Sequence, residues 1–331
     1  MKNPALLFRL TLLLLLAAPA SPVRASVHGE ARPQGRHYVR LFDWARANGF
    51  TTRWLERDKV LVLTNRTARL LFNVDPRQDT RKAQINGVAV GLAFPILYQN
   101  GTVSISQTDV TGTLRPVLSP PTNSPGLKIK TICIDPGHGG ADPGYQVGSF
   151  DEKKYTLLLA REVREQLKQA GFNVVLTRTS DTFVKLPDRP ELANRRNADL
   201  FVSIHFNSDG AQHKEVKGIE VYCLTPEGAL STNAGEDDTR PFTGNRQDEK
   251  NMLLAYQMQQ SLIRNLSAED RGVKRARYWV LRDATMPAIL IEGGFMSNPV
   301  EGRKIFDPNY RRQMARAIVN GILVYQRAVK G

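Results

Sequence analysis

The chain has 331 residues, with 46 Lys and Arg against 32 Asp and Glu for a formal charge of +14, and two cysteines. That length exceeds the usual single domain of roughly 100–200 residues, so two domains with ample material for packed cores are expected. Two cysteines exclude a disulfide framework, and the basic surplus points to polyanionic partners: nucleic acid, anionic lipid or an acidic wall polymer.

In chain order, Lys2 and Arg9 precede an apolar stretch from Leu10 to Ala18, followed by Pro19 and the small-residue site Val23-Arg24-Ala25. This order reads as a secretory signal peptide over 1–25, cleaved after Ala25. The stretch is shorter than the ~20 residues of a spanning helix, and no later segment is long and apolar enough to serve as one. A soluble exported protein of the periplasm or cell wall is therefore expected, without a transmembrane segment. Losing Lys2, Arg9 and Arg24 lowers the charge of +14 by three and leaves it strongly basic. Export makes the cell wall, rather than nucleic acid, the expected partner of that surface.

Residues 36–113 alternate short β-type runs (WLERDKVLVLTN, ARLLFNV, VAVGL, TVSIS) with the turn signals Asn86-Gly87 and Asn100-Gly101. One amphipathic helix, VRLFDWARANGF, places Leu41, Trp44 and Ala45 on one side and stops at Gly49. The pattern predicts a small α+β domain without a cluster of acids, histidines or cysteines. Residues 114–129, with Pro116, Pro120, Pro121 and Pro125, read as a stiff extended linker.

From Lys130 to Gly331 strands and helices alternate. TICID, NVVLTR, LFVSIHF, GIEVYCL, YWVL and AILIE read as strands; EKKYTLLLAREVREQLKQAG, RPELANRRNA, NMLLAYQMQQSLIRNL and a segment from Tyr310 to Val329 read as helices. Alternation of this kind predicts an α/β domain with a mostly parallel sheet and helices on both faces. Ligands in such sheets sit beyond the carboxyl ends of the strands. Cys133 and Cys223 lie inside apolar strands and read as buried free thiols.

Three polar residues fall near those strand ends: His138 in the Gly-rich loop IDPGHGGADPG, His205 in LFVSIHFNS, and Glu292 closing AILIE. Glu152 follows at the start of the first helix of this domain. Two imidazoles and one carboxylate make a catalytic zinc set with its fourth position open. Zinc there would bring the pKa of water toward neutrality and polarise a carbonyl, and a second carboxylate would carry the proton to a leaving amine. The spacing matches no compact motif such as HExxH. Isolated core or surface histidines, or a phosphate-binding loop lacking the lysine of GxxxxGK[ST], therefore stay open on spacing alone.

DPGHGGADPG, the pair Glu152-Lys153 opening a helix, ADLFVSIHFNS and MPAILIEGGFMSNP resemble, in order, the four blocks of the type-3 family of zinc-dependent N-acetylmuramoyl-L-alanine amidases. The resemblance covers Lys130 to Val329. It implies Zn2+ held by His138, Glu152 and His205, with Glu292 as the catalytic acid/base. It also implies peptidoglycan as the substrate, cut between N-acetylmuramic acid and L-alanine of the stem peptide. The neighbouring Asp151 is an alternative ligand that the family register assigns instead to a helix cap. Asp135 and Asp142 are expected to shape the loop, Asp135 with the further option of orienting a ligand.

The insert TPEGALSTNAGEDDTRPFTGNRQDEK, within 225–250, reads as a mobile loop at the rim of the site or an ordinary surface insert. In the first domain, NVDPRQDTRKAQINGVAV and FPILYQNGTVSIS are loosely similar to the stalk-like N-terminal domain of copper amine oxidases, without metal ligands. Its expected role is a spacer, wall contact or structural filler. Anionic envelope polymers are a second expected partner, and a latent enzyme awaiting a protein activator would carry the same sequence. The competing functions are a carboxypeptidase-like zinc hydrolase of wall peptides and a wall-binding or regulatory module without turnover.

Overall fold

The computed structural model describes residues 36–210, 213–231 and 239–331; the expected signal peptide lies outside them. Hairpins dominate the N-terminal part. It runs through β1 (Tyr38–Arg40), α1 (Leu41–Ala47), β2 (Thr51–Glu56), β3 (Val60–Thr64), β4 (Arg69–Asn73), β5 (Lys82–Ile85), β6 (Val88–Gly91), β7 (Leu97–Gln99) and β8 (Thr102–Ser106). Asn86-Gly87 and Asn100-Gly101 close the β5–β6 and β7–β8 hairpins with positive φ at both residues, the turn geometry that matches strand twist.

Residues 107–118 then turn helical: α2 (Gln107–Asp109), a π-helical turn Val110–Leu114, and α3 (Arg115–Leu118). The expected linker 114–129 is thus helical at its start, where Arg115–Leu118 continue the helical run from Gln107. Arg115 pairs there with Glu249.

The remainder comprises β9 (Thr131–Pro136), β10 (Gln146–Val147), β11 (Phe150–Asp151), α4 (Glu152–Gln169), β12 (Asn173–Leu176), α5 (Asp188–Arg195), β13 (Leu200–Asn207), β14 (Ile219–Leu224), α6 (Asp248–Leu266), β15 (Asp270–Ala276), α7 (Trp279–Arg282), β16 (Ala288–Phe295), α8 (Pro299–Phe306) and α9 (Pro308–Ala328). YWVL, expected as a strand, is instead mostly the helical turn α7; a four-residue apolar run has too few periods to separate strand from helix.

An eleven-stranded sheet runs in the order β12-β9-β13-β16-β14-β15-β6-β5-β4-β3-β2. It is mixed, which corrects the mostly parallel sheet expected from sequence. β12, β9, β13 and β16 run parallel to one another, β14 runs antiparallel to β16, and β15 is parallel to both β14 and β6. From β6 to β2 every pairing is antiparallel, since connections this short cannot make the crossover a parallel pair needs.

Strands β2–β6 therefore extend the same sheet at β15, while β1, β8 and β7 form a separate three-stranded antiparallel sheet. Asp270 accepts from the Ala89 amide at 2.7 Å and Tyr256 donates to the Ile85 carbonyl at 3.0 Å across that seam. An edge at β15 that would otherwise be open is thereby paired.

One face of the sheet packs on α4, α6 and α9 through Ile132, Ile134, Val202, Ile204, Leu159, Val163, Met258 and Ile318. The other carries a smaller cluster under α5 and α7 that includes Cys133, Phe201, Leu290, Ala193 and Leu281. Cys133 and Cys223 are free and buried, and they belong to different clusters. Burial pushes both thiols up, leaving little thiolate to react. Ellman's reagent should therefore titrate neither thiol in the native protein and both after denaturation; rapid native reaction would contradict this packing.

Candidate active site

His205 on β13 stands in register with Glu292 on β16, which stands in register with Glu220 on β14. Paired residues share a face of the sheet, so the three form one row above the cluster under α5 and α7. The loop 137–144 folds over the same end. His138 takes a positive φ of 61°, and two glycines leave the space that the side chains around it need. A Cβ on Gly137 would lie 2.2 Å from the His205 ring, and one on Gly144 would lie 2.6 Å from Glu152 Oε2. Glycines frame His138 because side chains there would occupy the site itself.

Glu152, the first residue of α4, joins the two imidazoles: Oε2 lies 3.0 Å from His138 Nε2, and Oε1 lies 3.0 Å from His205 Nδ1. The backbone N–H groups of Tyr145 and Phe206 donate to the same carboxylate at 3.0 and 3.1 Å. Glu152 is buried. Burial works against its charge, yet hydrogen bonds from His138 and His205 hold the carboxyl well below its ordinary range. His138 is shifted upward, burial opposing and Glu152 and Asp142 prevailing.

Nδ1 of His138 donates to Asp142 Oδ2 at 2.8 Å, which turns Nε2 toward Glu152. The orienting contact thus belongs to Asp142 and not to Asp135. Asp151 caps nothing: at the N-cap of α4 it makes no capping hydrogen bond and accepts from Gln146 Nε2 at 2.8 Å.

Asp135 anchors the loop from beneath. It pairs with Arg189 at 2.8 Å, both side chains buried, and accepts from Ser203 and Thr177 at 2.7 and 2.5 Å. Arg189 in turn donates to the carbonyls of Pro136 and His138, and Arg178 to those of Pro136 and Gly137. Neither arginine was singled out from sequence, because burial of a cation leaves no periodic signature. The available signal was their position, Arg178 closing the strand run NVVLTR and Arg189 opening the helix RPELANRRNA.

Glu292 is raised well above the ordinary carboxyl value by burial, then by the charges of Glu152 and Glu220. Its Oε2 is buried and has no hydrogen-bond partner among the described residues. Glu220 next to it is held ionised, burial being outweighed by Lys274 and Arg271; Asn207 and Tyr222 donate to its other oxygen at 2.7 and 2.8 Å.

The described part of the 225–250 insert lies away from this row. It leaves the C-terminal end of β14, which points opposite to β16, and Ala229 packs on Tyr38, Ala93 and Phe94. For the described part this overturns the rim-loop reading and leaves the ordinary surface insert.

Among the described residues, His138, Glu152 and His205 form a group able to hold a metal ion, their ligand atoms within 4.8 Å of one another. Two imidazole nitrogens 3.2 Å apart around one carboxylate suit a tetrahedral cation whose N and O ligands sit roughly 3.3 Å from each other. Residues 132–324 match the family described as N-acetylmuramoyl-L-alanine amidase. The chain belongs to this amidase family.

The chain is 35% identical over 218 residues to the N-acetylmuramoyl-L-alanine amidase AmiC of Neisseria meningitidis, a match covering 59% of this chain and 52% of that one. It thus spans about half the length of that relative. A crystal structure of an N-acetylmuramoyl-L-alanine amidase from Clostridium difficile 630 is similar with a TM-score of 0.51 at 35% identity, over 60% of this chain and 97% of that one. The CwlD amidase of Clostridioides difficile, solved in complex with the GerS lipoprotein, is similar with a TM-score of 0.50 at 29% identity, over 59% and 98%. The amidase match runs from β9 into α9, contains His138, Glu152, His205 and Glu292, and leaves β1–β8 outside.

Proposed function

We propose that the protein is an exported peptidoglycan hydrolase cleaving the amide between N-acetylmuramic acid and L-alanine of the stem peptide, with zinc held by His138, Glu152 and His205. The observation that carries this reading is the convergence of those three ligand atoms within 4.8 Å beside a buried, unpartnered carboxylate oxygen of Glu292. Zinc held there supplies a Lewis acid for the amide carbonyl and makes water nucleophilic near neutral pH.

Each side chain has a separate task. Asp142 fixes the His138 tautomer so that Nε2 faces the ligand group. Glu292 takes the proton of the attacking water and delivers it to the departing alanine nitrogen; burial raises its pKa toward the range where both protonation states serve catalysis. The open sheet end above the His205–Glu292 row admits the bulky substrate.

The N-terminal sequence supports export to the periplasm or wall, and no helix among the described residues is long and apolar enough to cross a membrane. Strands β2–β6 serve as the chain's own extension of the catalytic sheet. Anionic envelope polymers are the further ligands of its basic surface. A protein activator is supported by analogy with the lipoprotein complex of CwlD.

Digestion of purified sacculi with product identification by mass spectrometry tests the reading. Intact stem peptides should be released from sugar. Chelation should reduce the rate to background, and zinc should restore it. Loss of a terminal amino acid alone would instead establish a carboxypeptidase.

A further inference from the structure

The face that carries His205, Glu292 and Glu220 continues past β15. Glu220 is in register with Gly272 and Tyr222 with Lys274. On the far side of the β15–β6 seam, Ala89 is in register with Gln84, and Gln84 with Leu71. All of these alternate with Val273, Val90, Ile85 and Leu70, which are buried in the core on the other face. Beyond α7 the exposed face forms a cleft of about 660 Å³ whose walls include Leu71, Lys82, Gln84, Ala89, Tyr222 and Lys274. Its near wall on β14 and β15 stands one to two strands from Glu292, roughly 5–10 Å at the usual strand spacing.

The cleft is cationic where it is free to act. Lys82, Arg271 and Lys274 line it, whereas Arg81 is already paired with Asp79, and Lys82 and Gln84 are exposed. The acidic groups on the same walls are already engaged: Asp79 with Arg81, Glu269 with Lys217, and Asp270 with the amides of Ala89 and Gly272. Arg271 and Lys274 each spend one donor on Glu220 and retain others.

We propose that this cleft is a subsite for the carboxylate-bearing stem peptide of the substrate. The inference rests on the amidase reading and assigns the peptide side of the scissile amide to the N-terminal strands. Of the two halves of the substrate, the sugar is neutral once its lactyl group is in amide linkage, whereas the stem peptide carries free carboxylates that match the cationic wall. Continuity of the sheet face with the catalytic row leads the peptide directly into it. Strands β4 to β6, which supply half of the walls, lie outside the residues matched to the amidase family, so this subsite belongs to this chain's own architecture.

Equilibrium binding of the free acidic stem tetrapeptide to the full chain tests the subsite without requiring turnover. The same peptide with its carboxylates converted to amides serves as control. The acid form should bind about fivefold more tightly than the amide form, and Lys82→Glu should remove that preference. Gln84→Trp, an aromatic residue suited to an exposed strand position, should fill the cleft floor and abolish binding of both forms at an unchanged melting temperature. Cleavage of a muropeptide at the sugar–alanine amide, measured in parallel, reports on the amidase reading alone. Equal affinity of wild type, Lys82→Glu and Gln84→Trp for the acidic peptide would overturn the subsite, as would displacement of the peptide by glycan strands lacking stems.

Discussion

Replacing Glu292 by Gln is expected to lower kcat by about 10²–10⁴-fold, the contribution of a positioned acid/base group, while metal content stays at the wild-type level. The amide keeps the size of the carboxyl group but can neither accept nor release the proton. Glu292 stands on β16 in register with His205, outside the three-residue group able to hold a metal ion. Elemental analysis should therefore find no loss. Stability should hold or rise, because the wild-type carboxyl sits at a position where burial and the charges of Glu152 and Glu220 disfavour ionisation. Near-normal turnover by this variant would remove Glu292 from the chemistry, and loss of metal with turnover would make it a ligand instead.

The candidate residues could be picked out in the sequence because local signals mark their positions, while their proposed roles came from the four-block resemblance. Gly-rich punctuation after TICID marks the loop of His138, and LFVSIHF and AILIE are strand patterns that carry His205 and Glu292 to one sheet end. What the sequence concealed is relational. That β14 reverses relative to β16 cannot be read from GIEVYCL, and this single reversal sends the described part of the 225–250 insert to the far end of the sheet. Nor does the proline-rich stretch reveal that β6 docks on β15, since the seam rests on side chains far apart in sequence, such as Asp270 meeting the Ala89 amide. Asp135 and Asp142 look equivalent in IDPGHGGADPG; only folding separates the one that holds His138 from the one that meets Arg189.

Asp135→Ala is expected to cost about 3–5 kcal/mol of stability, the usual consequence of leaving one partner of a buried ion pair uncompensated. Two guanidinium groups converge under the loop. Burial, then the charge of Arg189, pulls Arg178 down to about 10, and Asp135 is the carboxylate paired with Arg189 at 2.8 Å. Removing it also strands the hydroxyls of Ser203 and Thr177, which donate to it. Against a total of roughly 5–15 kcal/mol for a folded domain, that loss is large.

The damage should reach the site through the carbonyls that Arg189 and Arg178 hold, those of Pro136, Gly137 and His138. Metal affinity should therefore fall together with the denaturant midpoint. Asp135→Leu combined with Arg189→Met should be less destabilising than Asp135→Ala alone, since the buried charge of Arg189 is removed together with its partner. A denaturant midpoint for Asp135→Ala equal to that of wild type would show that the pair does not hold the loop.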